Sequence, residues 1–135
     1  MPAIDQVEGI GAVYGAKLKA AGVSTTEDLL DRGKDKSGRT ELSAATGITE
    51  QTILEWVNRC DLMRISGIGS EYADLLEAAG VDSVPELGKR NAANLAVRLV
   101  DINARRALVR RVPVEAMIEE WVEQAQALPR VVVHS

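Results

Sequence analysis

The chain has 135 residues, 46% of them hydrophobic, with no Phe, two Trp and two Tyr. That suffices for one domain or two small halves around an aliphatic core, which suits packed helices better than a sheet. A net charge of −4 and a pI near 5.1 disfavour a general DNA binder, and the single cysteine, Cys60, excludes an internal disulfide. With no apolar run of membrane-spanning length and no charged-then-apolar leader, a soluble cytoplasmic protein without membrane contact is the expectation.

In chain order, Ile4 and Val7 predict one short turn onto the core. Glu8-Gly9-Ile10-Gly11 follows, a Gly-apolar-Gly turn that permits backbone angles closed to side chains and leaves bare amides at a helix start. The helix after it, from Gly11 to Ala21, places Ile10, Tyr14, Leu18 and Ala21 on one face, and Gly22 marks a left-handed stop. Ser24-Thr25-Thr26-Glu27 caps another helix carrying Leu29 and Leu30. Gly33 to Gly38 reads as a polar loop, and Arg39 to Ala45 as a short helix ended by Gly47. Thr49 caps a longer helix whose apolar face is Ile53, Trp56, Val57 and Cys60, and Asp61 to Ile65 reads as a separate helix.

From there the text repeats. Between Gly9 and Leu29, ten of 21 positions recur identically 58 residues later, Gly9-Ile10-Gly11 as Gly67-Ile68-Gly69 among them. Unrelated segments would share roughly one or two, so the chain is an internal duplication. Tyr72, Leu76 and Ala79 repeat the first helix face, Gly80 its stop, and Ser83-Val84-Pro85 the next capped start. Trp56 and Trp121 occupy matching contexts at an offset of 65, so the second copy holds about seven extra residues between Asn94 and Pro113. A last helix runs from Val114 to about Leu128, before a β-branched tail that either pairs with something or frays.

Val7-Glu8-Gly9-Ile10-Gly11 with Gly15 and Leu18, and Ile65-Ser66-Gly67-Ile68-Gly69 with Ala73 and Leu76, resemble the helix-hairpin-helix motif. The whole chain resembles a bacterial family of tandem helix-hairpin-helix proteins labelled as a domain of unknown function. The resemblance implies an all-α fold: two tandem repeats packed on each other as one compact pseudo-two-fold unit. Residues 1–61 would form the first repeat, 62–128 the second with its basic insertion, and 129–135 the tail. It also implies that a backbone phosphate is received, without base reading, by the amides of Gly9, Ile10, Gly11 and Ala12 and by those of Gly67, Ile68, Gly69 and Ser70.

Charge distribution qualifies that expectation. Lys17 and Lys19 follow the first turn and add cations, whereas Glu71, Asp74 and Glu77 follow the second and repel phosphate. From Lys89 to Arg111 seven positive residues face Asp101 alone, a local excess of +6 that includes Arg105, Arg106, Arg110 and Arg111. This stretch suits a phosphate or an acidic partner, or else pairs internally through Arg98, Asp101 and Arg105 and the glutamates 115, 119, 120 and 123. The only histidine, His134, lies one residue from the end, where no surrounding shell is expected. No catalytic site, metal site or cofactor is expected, Cys60 reads as core, and the four aromatic residues read as core rather than as base-stacking platforms. The function expected is a non-enzymatic nucleic-acid-binding module. The alternative is a protein-interaction or scaffold module with an acidic protein partner.

Overall fold

Residues 2–134 are described by the computed structural model, and among them every regular element is helical. The chain falls into two compact units: one runs to Asp61 and regains the chain from Val131 onward, the other is Leu62–Arg130.

The first unit begins with a 3-10 turn, Ile4–Gln6, whose Ile4 and the following Val7 are buried as their spacing requires. Helix α1 (Gly11–Ala20) ends on Gly22 at φ +91°, with Gly22 N–H bonding Lys19 O at 3.0 Å and Val23 N–H bonding Leu18 O at 2.8 Å. That pair of bonds satisfies carbonyls a helix end otherwise leaves open, and it needs a residue tolerant of the left-handed region. Helix α2 (Thr26–Gly33) opens with a reciprocal capping box, Asp28 N–H to Thr25 Oγ1 at 3.1 Å and Thr25 N–H to Asp28 Oδ2 at 3.1 Å. Asp28 also accepts Ser24 N–H at 3.0 Å, and this bond foremost holds its carboxyl below the ordinary aspartate value.

Helix α3 (Lys36–Thr46) starts three residues before the helix expected at Arg39, because Asp35 caps it by accepting Gly38 N–H at 2.8 Å. The polar loop expected over Gly33–Gly38 is therefore mostly helix. Its glycines mark close approach instead: a Cβ on Gly38 would lie 1.8 Å from Arg32 O, and one on Gly33 2.5 Å from Val57 Cγ2. Gly47 at φ +76° ends α3, as expected. Helix α4 (Glu50–Leu62) is capped by Thr49, and it buries Ile53, Trp56, Val57 and Cys60. It continues through Asp61 and Leu62, so the separate helix expected from Asp61 to Ile65 does not exist; residues 63–69 are turn and coil.

The tail returns to this first unit. Val133 N–H bonds Lys34 O at 2.7 Å, and Val132 is 3% exposed. Arg39, itself 3% exposed, donates Nη1 to Gly33 O and Nη2 to Val133 O, each at 2.9 Å. A buried guanidinium without acceptors would be costly, so the tail carbonyl is part of what makes Arg39 tolerable there. His134 is likewise held, its Nε2 lying 2.9 Å from Asn58 Oδ1, because the backbone before it is anchored. The expectation that nothing would surround this histidine is thus overturned.

The second unit contains α5 (Ser70–Ala78), α6 (Val84–Gly88), α7 (Ala92–Arg106) and α8 (Glu115–Ala127). Ser83 caps α6 with Pro85 in the first turn, and Asn91 caps α7. Its core takes Leu62, Ile68, Leu76, Leu87, Leu99 and Trp121, a largely aliphatic interior consistent with a chain that lacks Phe. Helix α7 has 15 residues against 11 in α3, so part of the insertion lengthens a helix and the remainder forms the connection over residues 107–113.

Val132→Asp should undock the tail and lower the unfolding free energy by about 2–4 kcal/mol, since apolar burial and an acceptor for the buried Arg39 are both lost. A urea midpoint equal to that of the parent would show that the tail rests on the unit without holding it. A second expectation concerns acid. Asp28 has a depressed pKa in the fold, so its contribution is complete above the unfolded carboxyl value and disappears as pH falls through the lowered one. Asp28→Asn should therefore flatten the acid limb of a stability-versus-pH curve.

Candidate functional site

Each Gly-Ile-Gly turn lies against a tryptophan of its own unit. A Cβ on Gly9 would sit 3.5 Å from Trp56 Nε1, and one on Gly67 only 2.9 Å from Trp121 Nε1. Both glycines are left-handed, at φ +89° and +97°; at Gly67 the tryptophan also excludes a side chain, whereas at Gly9 the Trp56 distance is ordinary contact and the backbone angle favours glycine. The tryptophans are buried, and each meets a tyrosine from the helix that the turn begins. Tyr14 and Trp56 have ring centroids 5.3 Å apart, Tyr72 and Trp121 5.4 Å. The tryptophans are core, as expected; Tyr14 is 41% exposed and only leans on it. Gly15 of α1 packs at close range, since a Cβ there would lie 2.8 Å from Asp5 Cβ.

Not every expected amide is available. Ile10 N–H bonds Val7 O at 3.0 Å and Ile68 N–H bonds Ile65 O at 3.1 Å, so both are used within their turns. In the first turn, the amides of Gly9, Gly11 and Ala12 meet no acceptor among the described residues. Ile10 is right-handed at φ −81°, ψ −61°, and Gly11 is left-handed at φ +64°. Successive residues of opposite hand aim neighbouring N–H groups into one concavity, an arrangement suited to an anion. The second turn lacks this pairing, because Gly69 is extended at φ −93°, ψ −172° and Ser70 begins α5. Strain on replacing the last glycine is therefore expected at Gly11 and not at Gly69, although the two hold matching positions in the repeat.

The charges beside the turns differ as well. Arg59 Nη1 donates to Glu8 O and stands 3.0 Å from where a Gly9 Cβ would be. At the offset that relates the tryptophans, Arg59 corresponds to Gln124, whose Oε1 accepts Ser66 N–H at 2.9 Å and whose Nε2 donates to Ser66 O at 3.3 Å. The same structural task is done by a cation in one unit and a neutral amide in the other. Arg59 was not singled out in the sequence, although its offset of 65 from Gln124 was readable. Lys17 Nζ lies 5.9 Å from the Tyr14 ring centroid. Lys19, expected to add a cation, pairs with Asp5 at 3.2 Å, which reduces its availability.

In the second unit Arg98 does not join Asp101; its Nε donates to Ala79 O at 2.9 Å, at the end of α5. Arg90 bonds Gly80 O at 3.2 Å and pairs with Glu86 at 3.2 Å. Arg32, its counterpart at offset 58, bonds Ala21 O at 3.1 Å in the first unit. These arginines close helix C-termini, where cations meet unsatisfied carbonyls. Arg105 pairs with Asp101 at 2.6 Å, while Arg106, Arg110 and Arg111 are exposed and have no ion-pair partner among the described residues. The glutamates of α8 do not neutralise them there. Burial, with the Asp61 charge second, pushes the Cys60 thiol up to about 12, consistent with an inert core residue.

Fold and site together define an all-helical protein with two glycine-led helix starts, of which the first carries the open amides and the adjacent guanidinium. The chain belongs to the family described as a domain of unknown function (DUF4332), whose pattern matches residues 8–128. No curated protein and no solved structure matches it.

Gly11→Ala should cost about 1 kcal/mol, because an alanine in the left-handed region is strained even with open space around its Cβ. Gly69→Ala should stay within about 0.5 kcal/mol of the parent. Gly67→Ala should be the most damaging of the three, adding a clash with Trp121 to the strain. Denaturant midpoints compare them, and equal losses at Gly11 and Gly69 would contradict the backbone difference.

Proposed function

We propose that this chain is a non-enzymatic module that binds nucleic acid through backbone phosphates, without reading bases, and that its turns act as helix-hairpin-helix turns of a cytoplasmic protein. The observation carrying this reading is the first turn. Its Gly9, Gly11 and Ala12 amides have no acceptor among the described residues, and Arg59 stands against the same backbone. Open amides at a helix start attract an anion, and the adjacent guanidinium adds a charge where a phosphate oxygen would approach. Lys17, held over Tyr14, supplies a further cation on α1. The exposed Arg105–Arg111 stretch is the second contact. Overall acidity limits long-range attraction, so the binding is local and falls steeply with salt.

The extended Gly69 and the neutral Gln124 make the second turn a poorer anion receiver, which favours a scaffold role for that unit. If the whole chain followed that pattern, the arginines would serve an acidic protein instead. Titrating duplex, branched and single-stranded DNA at several salt concentrations separates the two. Arg59→Gln with Lys17→Glu should weaken duplex binding at least tenfold and reduce the salt slope by about 1–2, with the melting temperature nearly unchanged. Gln is compatible with the turn, because Gln124 does the corresponding work. No binding by the parent chain at low salt would end the nucleic-acid reading and leave the acidic partner.

A further inference from the structure

The inserted connection after α7 is held more firmly than an exposed loop of its length requires. Helix α7 stops on Ala107 at φ +49°, the one left-handed non-glycine among the described residues. Two residues on, the Asn103 carboxamide grips Val109 at both backbone groups: Oδ1 accepts Val109 N–H at 2.9 Å and Nδ2 donates to Val109 O at 3.0 Å. The Val109 and Pro113 side chains are buried. Between them, Tyr72 of α5 donates its hydroxyl to Arg111 O at 2.9 Å. Residues 107–113 are thus tied at their start, middle and end.

What this fixed backbone displays is positive charge. Arg110 and Arg111 point into water from the clamped segment and Arg106 stands at its root. Like charges held together without counter-ions oppose folding, so the arrangement has no evident stabilising role. Beside Arg106, a shallow groove of about 250 Å³ is lined by Ala78, Arg98, Ile102, Arg105 and Arg106, large enough for a phosphate group. The groove touches the last residue of α5, and the loop is pinned at Tyr72, six residues earlier.

We infer that the clamped 107–113 segment and the groove at its root form a preorganised arginine surface that receives a short run of sugar–phosphate backbone, with Asn103 and Tyr72 as positioning residues. This rests on the nucleic-acid reading and deepens its second contact, in the unit whose own turn is the poorer anion receiver, by giving that contact a fixed backbone and a groove. Because the backbone is fixed before binding, the arginines lose less freedom on contact, and loosening the clamps should weaken binding without removing a charge.

Fluorescence anisotropy with a 20-base-pair duplex and the full chain tests it. Arg110→Ala with Arg111→Ala should weaken binding at least tenfold and reduce the salt slope by about 2. Asn103→Ala should weaken binding about three- to fivefold with the slope unchanged, while hydrogen exchange at Val109 N–H accelerates. Tyr72→Phe removes one hydroxyl and should act in the same direction, which covers the case that Asn103→Ala unfolds α7. If the parent binds duplex and Arg59→Gln with Lys17→Glu weakens it, but the double arginine variant binds normally, this inference falls and the first-turn reading stands. If the parent binds no duplex, or polyglutamate displaces the duplex at equal charge concentration, both fall.

Discussion

The contact on which each unit depends is bare backbone against a tryptophan edge. A methyl group on Gly67 would collide with Trp121, one on Gly9 would touch Trp56 at ordinary contact distance and crowd Arg59 Nη1, and both residues adopt angles that favour glycine. The tryptophan then fixes the turn, and the turn fixes the direction in which α1 or α5 departs. The tyrosine one turn along that helix closes on the same ring, at nearly equal distance and tilt in the two units. A ring leaning on a buried tryptophan contributes area and geometry together, so the turn is tied to the core rather than left a flexible link. The Schellman-type ends at Gly22 and Gly80 complete the same small frame, delivering Val23 and Val81 into the interior.

Within that shared frame the two copies diverge at groups the frame does not use. The residue below the turn must satisfy backbone atoms of Glu8 or Ser66, and either a guanidinium or a carboxamide can do so. Packing is therefore indifferent to the choice between Arg59 and Gln124, while an approaching anion is not. The same holds for Gly11 and Gly69. Both have open space around the missing Cβ, so only backbone angle separates them, and that angle decides whether neighbouring amides converge.

Much of this was readable from the residues. The duplication, the left-handed stops at Gly22, Gly47 and Gly80, the caps at Thr25, Thr49 and Ser83, and the buried face of α4 all follow from local patterns, and local patterns survive folding. What was misread depends on distant partners. Gly33 and Gly38 look like loop punctuation until Val57 and the Arg32 carbonyl are seen against them. Asp61 and Leu62 extend α4 because no capping or breaking residue stops the helix there. His134 gains a neighbour only because Arg39 captures the tail carbonyl 94 residues away. Ile10 and Ile68 looked like amide donors, but one-turn bonds to Val7 and Ile65 use them, a detail of dihedral angle that residue type does not carry.

Charge counting illustrates the same limit in energetic terms. The +6 excess between Lys89 and Arg111 treats every cation alike, yet the fold uses them differently. Arg90 and Arg98 complete the carbonyl end of α5, where a partly buried guanidinium replaces water, and Arg105 is drawn to Asp101. Those charges already have partners within the fold. The cations without such ties, Arg106, Arg110 and Arg111, cluster at the insertion that distinguishes the second copy from the first. A duplicated frame needs no extra loop to close its core, and an unneutralised arginine loop weakens rather than strengthens a domain. Its backbone is nevertheless secured by a carboxamide, a phenol and two buried side chains. Firm support beneath unfavourable charge is the combination on which the proposed contact with a negatively charged partner rests.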